Sequence, residues 1–321
     1  MLRACLLSLA LIPANLAAAG TSPADQPATS APAFVPPPAP GQLVDIGGRR
    51  LHLDCKGDAA GPTVIFEAGL SQYTARSSFA KAQDAIAPFA RACTYDRAGL
   101  GWSDPVAGAR TQRDMVADLH ALIAAKQLPT PLVIVGHSVG GLLARLYARE
   151  HPGDVAGLVL VDASPEPYLF TPGAAKFRAN LVAEIDAGLK KAQGDGPVVP
   201  LPDGVEPDVV VAFLPRVLAT VKQEYEALDR VPADMQQARG YGTLGDLPLA
   251  VIRRGRTETP PNAEDVQWRQ WQEDLAGLSS RGFLVVAENT GHVIPYENPA
   301  VVADAVRRIL DGIRLNEAGE P

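Results

Sequence analysis

The sequence has few cysteines, no long basic run and no apolar stretch long enough to span a bilayer. Its densest basic cluster is the three arginines within 253–256, and the net charge of the chain is −7. A nucleic-acid partner requires clustered lysines and arginines that neutralise phosphates, so we expect none. No His, Cys or Asp group has metal-ligand spacing and no glycine-rich phosphate loop is present, so we expect neither a metal nor a cofactor.

The N-terminal residues have the composition of an export signal. Arg3 supplies a positive charge, residues 6–16 are mostly apolar, and the alanines at 17–19 form a small-residue cleavage site. We therefore predict a signal peptide over 1–19 and a secreted or periplasmic protein without stable membrane insertion, because the apolar run is too short for an anchor. Residues 20–41 are rich in proline and alanine and cannot bury enough apolar area to fold, which predicts a disordered tether.

From residue 42 onward, apolar runs typical of buried strands alternate with helical patterns. This alternation predicts an α/β core with a mostly parallel sheet, built from residues 42–164 and 246–315. The intervening residues 165–245 contain no convincing buried strand, and we interpret them as a helical insertion over the sheet.

The strongest chemical signal lies around Ser138. Four aliphatic residues at 132–135 predict a buried strand, and the residues after Ser138 have helical spacing. A G-x-S-x-G at 136–140 lies between them, in the strand-turn-helix context that holds a serine on a strained corner with its hydroxyl exposed. The pattern alone arises often by chance; in this context it indicates a nucleophile.

A serine nucleophile needs a base, and His292 is the best candidate among the five histidines. It follows the last predicted strand directly, in a loop at the carboxyl end of the sheet, where ligands bind in α/β proteins. The other histidines fit structural or surface positions better: His52, His120, His137 and His151.

Three motifs together resemble the α/β-hydrolase fold superfamily over about residues 42–313. They are the stretch at 136–141, the YDRAGLGWS loop at 95–103, and Gly291-His292 close to Pro295 and Pro299. The resemblance implies an eight-stranded, mostly parallel sheet with helices on both faces and the insertion as a helical cap. It also implies the chain order serine, acid, histidine. A serine nucleophile differs from the dehalogenase and epoxide hydrolase branches, which use a carboxylate.

Two carboxylates compete for the acid position. Asp162 ends the strand after the Ser138 helix, from which one branch of the superfamily takes its acid. Glu258 follows the next strand, where the commoner branch has an aspartate in G-x-x-D and this chain has Arg-Thr-Glu. We favour Asp162 as the acid that orients His292, with Glu258 as the alternative. Asp162 has a competing interpretation as a structural residue at the sheet edge.

The resemblance also implies two backbone donors for a developing oxyanion. One is the N–H of Val139, which follows the nucleophile, and the other is the N–H of Leu70, in the loop after the strand at 63–67. The family has a histidine where this chain has Ala68, so the motif does not say what supports the loop. Glu67 is either part of that support or an ordinary strand-end residue.

Several other residues have plain interpretations. The Asp96-Arg97 pair fits a charged turn that braces the loops around the site. Trp102 is a candidate for the pocket wall, while Trp268 and Trp271, at helical spacing, fit core or cap packing better.

Two cysteines follow the predicted signal, Cys55 and Cys93. By count alone they form either a bridge or two buried thiols. The resemblance places the end of the second strand beside the start of the fourth, and so implies a disulfide between them.

These features predict an exported serine hydrolase that cleaves small-molecule carboxylic esters or related acyl compounds. An iminopeptidase-type amidase would need carboxylates of the insertion, such as Glu184, Glu224 or Glu226, aimed at a substrate amine. A cofactor-free haloperoxidase-like enzyme would use the same triad. A non-catalytic binding protein on the same scaffold is the alternative from another class. Nothing in the sequence favours a particular oligomeric state.

Overall fold

A computed structural model describes residues 37–58, 61–70, 74–192, 207–231, 235, 242–257 and 259–317, with backbone alone at 188–192 and 207–215. These residues form one eight-stranded sheet. Its strands are β1 (Gln42–Asp45), β2 (Arg50–Lys56), β3 (Val64–Glu67), β4 (Ala92–Tyr95), β5 (Leu132–His137), β6 (Val155–Val161), β7 (Leu249–Arg254) and β8 (Gly282–Ala287). The spatial order is β1-β2-β4-β3-β5-β6-β7-β8, with β2 antiparallel to both neighbours and the other pairs parallel.

Helices cover both faces of the sheet. They are α1 (Ala75–Ile86), α2 (Gln112–Lys126), α3 (Val139–Glu150), α4 (Glu166–Leu169), α5 (Pro172–Ala192), α6 (Pro207–Ala227), α7 (Ala263–Ala276), α8 (Ile294–Glu297) and α9 (Pro299–Glu317). Side chains of β5 alternate between the two cores: Leu132 and Ile134 join the core beneath α2 and α3, whereas Val133 and Val135 join the core beneath α1 and α9. A strand buried on both faces must be aliphatic throughout, which explains the unbroken apolar run.

The helix termini follow from local sequence. Thr111 caps α2 by accepting from the backbone N–H of Asp114, whose carboxylate accepts in return from the N–H of Thr111. The same reciprocal box, formed by Asn262 and Asp265, begins α7. The fold class predicted from the sequence is confirmed. The strands predicted at 63–67 and 132–135 correspond to β3 and β5 and agree with their bounds to within two residues.

The chain between β6 and β7 contributes α4, α5 and α6. Val217, Val221 and Tyr225 of α6 are buried in the same hydrophobic cluster as Leu100 and Val139, so this helix packs onto the core beside the Ser138 corner. The sequence also predicts a helix over 233–239, a range that lies mostly outside the described residues.

The predicted signal peptide, 1–19, and most of the predicted tether, 20–41, lie outside the described residues. The last five residues of that tether are described and contact the core. Pro37 accepts a hydrogen bond from Trp102 Nε1 at 2.9 Å, and the carbonyl of Pro40 contacts His52 Nε2. In the part of the chain that the structure describes, each helix is too short or too polar to cross a membrane.

A disulfide joins Cys55 and Cys93, as the resemblance implied. The two residues are directly paired in the antiparallel ladder of β2 and β4, with Cα atoms 4.0 Å apart. The cross-link fixes the register of the antiparallel pair β2 and β4. The parallel part of the sheet begins at β4, which pairs with β3.

Candidate active site

Ser138 occupies a sharp corner between β5 and α3. Its φ of +54° and ψ of −124° lie in a region that a residue with a Cβ adopts only under strain. The backbone packs very closely around this corner, and this packing requires glycine at positions 136 and 140. A Cβ at Gly136 would stand 2.6 Å from the carbonyl oxygen of Gly140, and a Cβ at Gly140 would stand 2.1 Å from that of Glu67.

Backbone hydrogen bonds attach this corner to the end of β6. The N–H of Ser138 donates to the carbonyl of Val161 at 3.1 Å, and the carbonyl of Ser138 accepts from the N–H of Ser164 at 2.9 Å. Asp162 lies between these two partners. The serine and the carboxylate are therefore held on adjoining strand ends by the main chain itself.

His292 approaches from the loop after β8 and contacts Asp162. The distance from His292 Nδ1 to Asp162 Oδ2 is 2.6 Å, and the Asp162 side chain is completely buried whereas that of His292 is half-buried. The opposite ring nitrogen, Nε2, consequently points away from the carboxylate. Glu258, the alternative acid, lies outside the described residues.

Asp162 is surrounded by donors that the sequence pattern did not reveal. Arg254 donates to it from its backbone N–H at 3.1 Å and from Nη1 at 2.7 Å, and Trp268 donates from Nε1 at 2.8 Å. The Arg254 guanidinium also lies over the Trp268 ring, 4.4 Å from its centroid. Burial by itself raises the pKa of Asp162, but the charge of Arg254 and the contact with His292 outweigh it and hold that pKa well below its usual range.

His137 positions the backbone of His292. Its Nε2 lies 2.8 Å from the carbonyl oxygen of His292, and the two ring centroids are 4.8 Å apart. Burial, with the charge of His292 adding to it, lowers the pKa of His137 to about 3, so the ring is neutral and Nε2 donates to the carbonyl. A residue interpreted from the sequence as merely structural thus fixes the loop that carries His292 beside the Ser138 corner.

The loop after β3 lies against the Ser138 corner, as expected for the second oxyanion donor. A Cβ at Gly69 would stand 3.1 Å from Ser138 Cβ, so any larger residue here would push the loop and the corner apart by a few tenths of an ångström. Leu70 follows in the same loop and is half-buried, and Val139 begins α3 with its amide at the positive end of the helix dipole.

Arg97 supports this loop in place of the missing histidine. Its guanidinium donates to the carbonyl of Ala68 at 2.5 Å and to that of Gly69 at 2.9 Å. The prediction that the Asp96-Arg97 turn braces the loops agrees with these contacts.

A buried ion cluster extends from Arg97 into the insertion. Arg97 pairs with Glu67 Oε1 at 2.8 Å and with both carboxylate oxygens of Glu224 on α6, at 2.7 and 2.8 Å. All three side chains are at most 4% exposed. Burial raises the pKa of Glu67, and Arg97 opposes part of that rise. Burial alone would lower the pKa of Arg97, but Glu224 and Glu67 reverse the shift.

Of the remaining sequence candidates that the structure describes, only Trp268 contacts Asp162. Glu184 and Glu226 are exposed on the insertion, and Trp102 packs beside His52 with ring centroids 4.9 Å apart. Trp268 is buried as predicted, but its contact with Asp162 was not anticipated.

Residues 64–305 match the model of the Alpha/beta hydrolase family. The chain is 25% identical to the uncharacterized protein YqjL of Bacillus subtilis over 268 residues, which cover 81% of this chain and 88% of YqjL. It is 38% identical over 119 residues to the sn-1-specific diacylglycerol lipase ABHD11 of Mus musculus, covering 37% of each protein. A thermophilic esterase from Thermogutta terrifontis has the same fold, with a TM-score of 0.61 and 20% identity over 84% of this chain and 97% of that one.

Proposed function

Because the chain belongs to the alpha/beta hydrolase family, we propose that it is an exported serine hydrolase that cleaves carboxylic esters or related acyl compounds. The observation that carries the proposal is the contact between His292 Nδ1 and the buried carboxylate of Asp162, next to the strained Ser138 corner. A carboxylate that fixes one ring nitrogen leaves the other free to exchange a proton with a nucleophile.

In this mechanism, Ser138 Oγ attacks the carbonyl carbon of the ester while His292 Nε2 takes its proton. Asp162 holds the imidazole in the required tautomer and stabilises the imidazolium. The tetrahedral intermediate collapses as His292 returns the proton to the leaving alcohol, which leaves an acyl group on Ser138. Water, deprotonated by the same histidine, then attacks the acyl-enzyme. The second tetrahedral intermediate collapses as His292 returns the proton to Ser138 Oγ, which releases the carboxylic acid and restores the free serine.

The oxyanion of each tetrahedral intermediate is stabilised by the backbone N–H groups of Val139 and Leu70. The loop that carries Leu70 is held by Arg97 through the carbonyls of Ala68 and Gly69, which supports a preorganised donor rather than one that must move during reaction.

Ester cleavage is favoured over the amidase alternative by the state of Glu224. Both of its carboxylate oxygens are occupied by Arg97, and the side chain is buried, so it is not available to a substrate amine. The names of two similar proteins, a diacylglycerol lipase and an esterase, favour the same substrate class. No observation specifically favours the haloperoxidase-like alternative.

The test of catalysis is labelling of the mature chain with a fluorophosphonate, followed by mass spectrometry. We expect one label on Ser138, none on Ser138→Ala, and turnover of a nitrophenyl ester series that exceeds turnover of the matching amides. A folded protein that takes no label and hydrolyses none of the esters would be a binding protein. Turnover of amides above esters would instead favour the amidase.

Export is proposed from the N-terminal sequence and supported by the Cys55–Cys93 disulfide, since such bonds persist mainly in oxidising compartments. The test is N-terminal mass spectrometry of the protein from the expressing cell. We expect a chain that begins close to residue 20 and is found outside the cytoplasm. An unprocessed cytoplasmic chain would contradict this part of the proposal without affecting the chemistry.

A further inference from the structure

Three potential metal ligands meet where α2 packs against the C-terminal end of α3. One ring nitrogen each of His120 and His151 and one carboxylate oxygen of Asp154 all lie within 4.8 Å of one another. Among the described residues, no other group of three or more His, Cys, Asp or Glu side chains has this proximity. Linear spacing did not reveal the group because one ligand lies on α2 and the other two follow α3.

The group is held in place by its surroundings. The two imidazole rings stack with centroids 3.9 Å apart and planes 4° from parallel. Tyr147 Oη donates to Asp154 Oδ2 at 3.1 Å, and His120 Nδ1 lies 3.2 Å from the same oxygen. A hydroxyl that orients a carboxylate in this way is the kind of outer partner that metal ligands commonly have.

The backbone around two of the ligands is equally constrained. The N–H of His151 donates to the carbonyl of Tyr147 at 2.8 Å, and the N–H of Asp154 donates to the carbonyl of His151 at 3.0 Å. His151 is the C-cap residue of α3, where the peptide dipoles concentrate partial negative charge that favours a cation. Arg113 and Glu150, two charged residues near this group, form an ion pair with each other, with Arg113 Nε 2.8 Å from Glu150 Oε1.

We propose that His120, His151 and Asp154 bind a divalent transition-metal cation of the zinc class. Two imidazoles and one carboxylate are the ligand set that zinc, cobalt and nickel favour, whereas magnesium and calcium favour oxygen alone. With metal–ligand bonds of about 2.0 Å, tetrahedral ligand atoms lie roughly 3.3 Å apart, so the three side chains must close by about an ångström. The two imidazoles must also tilt out of their parallel stack, because each nitrogen binds a metal in the plane of its own ring. All three are half-buried, which leaves the outer coordination position to water.

The metal site is separate from the candidate active site. Ser138 precedes and His151 follows α3, a helix of 12 residues, so the two lie roughly 20 Å apart at 1.5 Å per residue. The ion would tie α2 to the end of α3 and stabilise the folded chain by mass action, because the unfolded chain does not hold the three ligands together. The proposal does not depend on the identity of the substrate.

The test is calorimetric titration of zinc into the mature, metal-free chain. We expect one zinc per chain in the wild type and no such binding in His120→Gln or His151→Gln. Asp311→Asn, a surface carboxylate far along the chain, and His292→Gln, at the candidate active site, should both keep the wild-type stoichiometry. Tyr147→Phe should weaken zinc binding by about tenfold through loss of the hydroxyl that orients Asp154.

A second measurement separates lost binding from lost folding. Zinc should raise the melting temperature of the wild type and of Asp311→Asn, and leave that of His120→Gln and His151→Gln unchanged, with circular dichroism showing all four folded. Wild-type stoichiometry in His120→Gln and His151→Gln, or no binding by the wild type at millimolar zinc, would overturn the proposal. Loss of zinc binding in His292→Gln alone would overturn it as well, since it would place the ion at the candidate active site.

Discussion

His292 Nδ1 lies 2.6 Å from Oδ2 of Asp162, a carboxylate that has no exposure to solvent and three further donors around it. A buried carboxylate in this position is costly unless its charge is compensated, so the surrounding residues serve the His292 contact as much as the fold.

Asp162→Asn should lower kcat by about four orders of magnitude while KM stays within a few-fold, because a neutral amide neither stabilises the imidazolium nor enforces the correct tautomer. Steady-state kinetics on a nitrophenyl ester measure both values. Glu258→Gln is the matched control and should retain turnover close to the wild type. The opposite pattern, with activity lost only in Glu258→Gln, would assign the acid to Glu258.

Trp268→Phe should lower kcat by about tenfold, because it removes the indole N–H that donates to Asp162 Oδ1 and keeps an aromatic ring in its place. Trp271→Phe, on the same helix and half-buried, is the control and should leave kcat unchanged. Equal effects of the two substitutions would mean that α7 affects activity only through packing.

Arg97→Met should destabilise the protein by about 3–5 kcal/mol in urea unfolding, because it leaves the carboxylates of Glu67 and Glu224 buried without a counter-charge. Glu224→Gln should cost less, since the pair between Arg97 and Glu67 and the bonds to the loop after β3 remain. If both variants unfold with the free energy of the wild type, the cluster does not contribute to stability.

His52 should make the free energy of unfolding fall as the pH rises above about 6.5. Its two ring nitrogens face Asp96 Oδ2, at 2.9 Å, and the carbonyl of Pro40, so both must donate and the imidazolium is the fitting form. Burial lowers the pKa of His52, but the hydrogen bond and charge of Asp96 outweigh it and leave that pKa raised.

Since the folded-state pKa of His52 exceeds the unfolded one, its stabilising contribution is complete below about pH 6.5 and is lost as pH rises through the folded-state pKa. Urea unfolding at a series of pH values should therefore show a free energy of unfolding that falls across this window. His52→Gln should flatten the fall. An unchanged slope in His52→Gln would assign the dependence to other groups.

The sequence was most informative where the chemistry is local. The strand, the glycines and the helix around Ser138 are consecutive in the chain, and the position of His292 after a strand is equally visible. The sequence favours Asp162 over Glu258 but does not decide between them, because the choice depends on which carboxylate the fold brings to His292. That distance is a property of strand order and register, and no local pattern encodes it.

The contacts missed by sequence reasoning are those between residues that are remote in the chain. Arg254 reaches Asp162 because β7 is parallel to β6 in a register that sets its last residues beside the end of its neighbour. Arg97 and Glu224 are separated by 127 positions, and a lone glutamate on an amphipathic helix resembles any solvated charge. A pair of this kind can be identified only when the position of α6 against the sheet is known.

The pairing of Arg97 with Glu224 has a consequence for engineering. Exchanging the segment between β6 and β7 with that of a relative is a natural way to alter which molecules the protein accepts. A grafted segment without a carboxylate at the position of Glu224 would leave the guanidinium of Arg97 buried beneath the new helix without that counter-charge. Arg97 lies directly behind the loop that carries Leu70. Donor segments should therefore be chosen first for that one acidic position, and only then for the shape of the surface they bring.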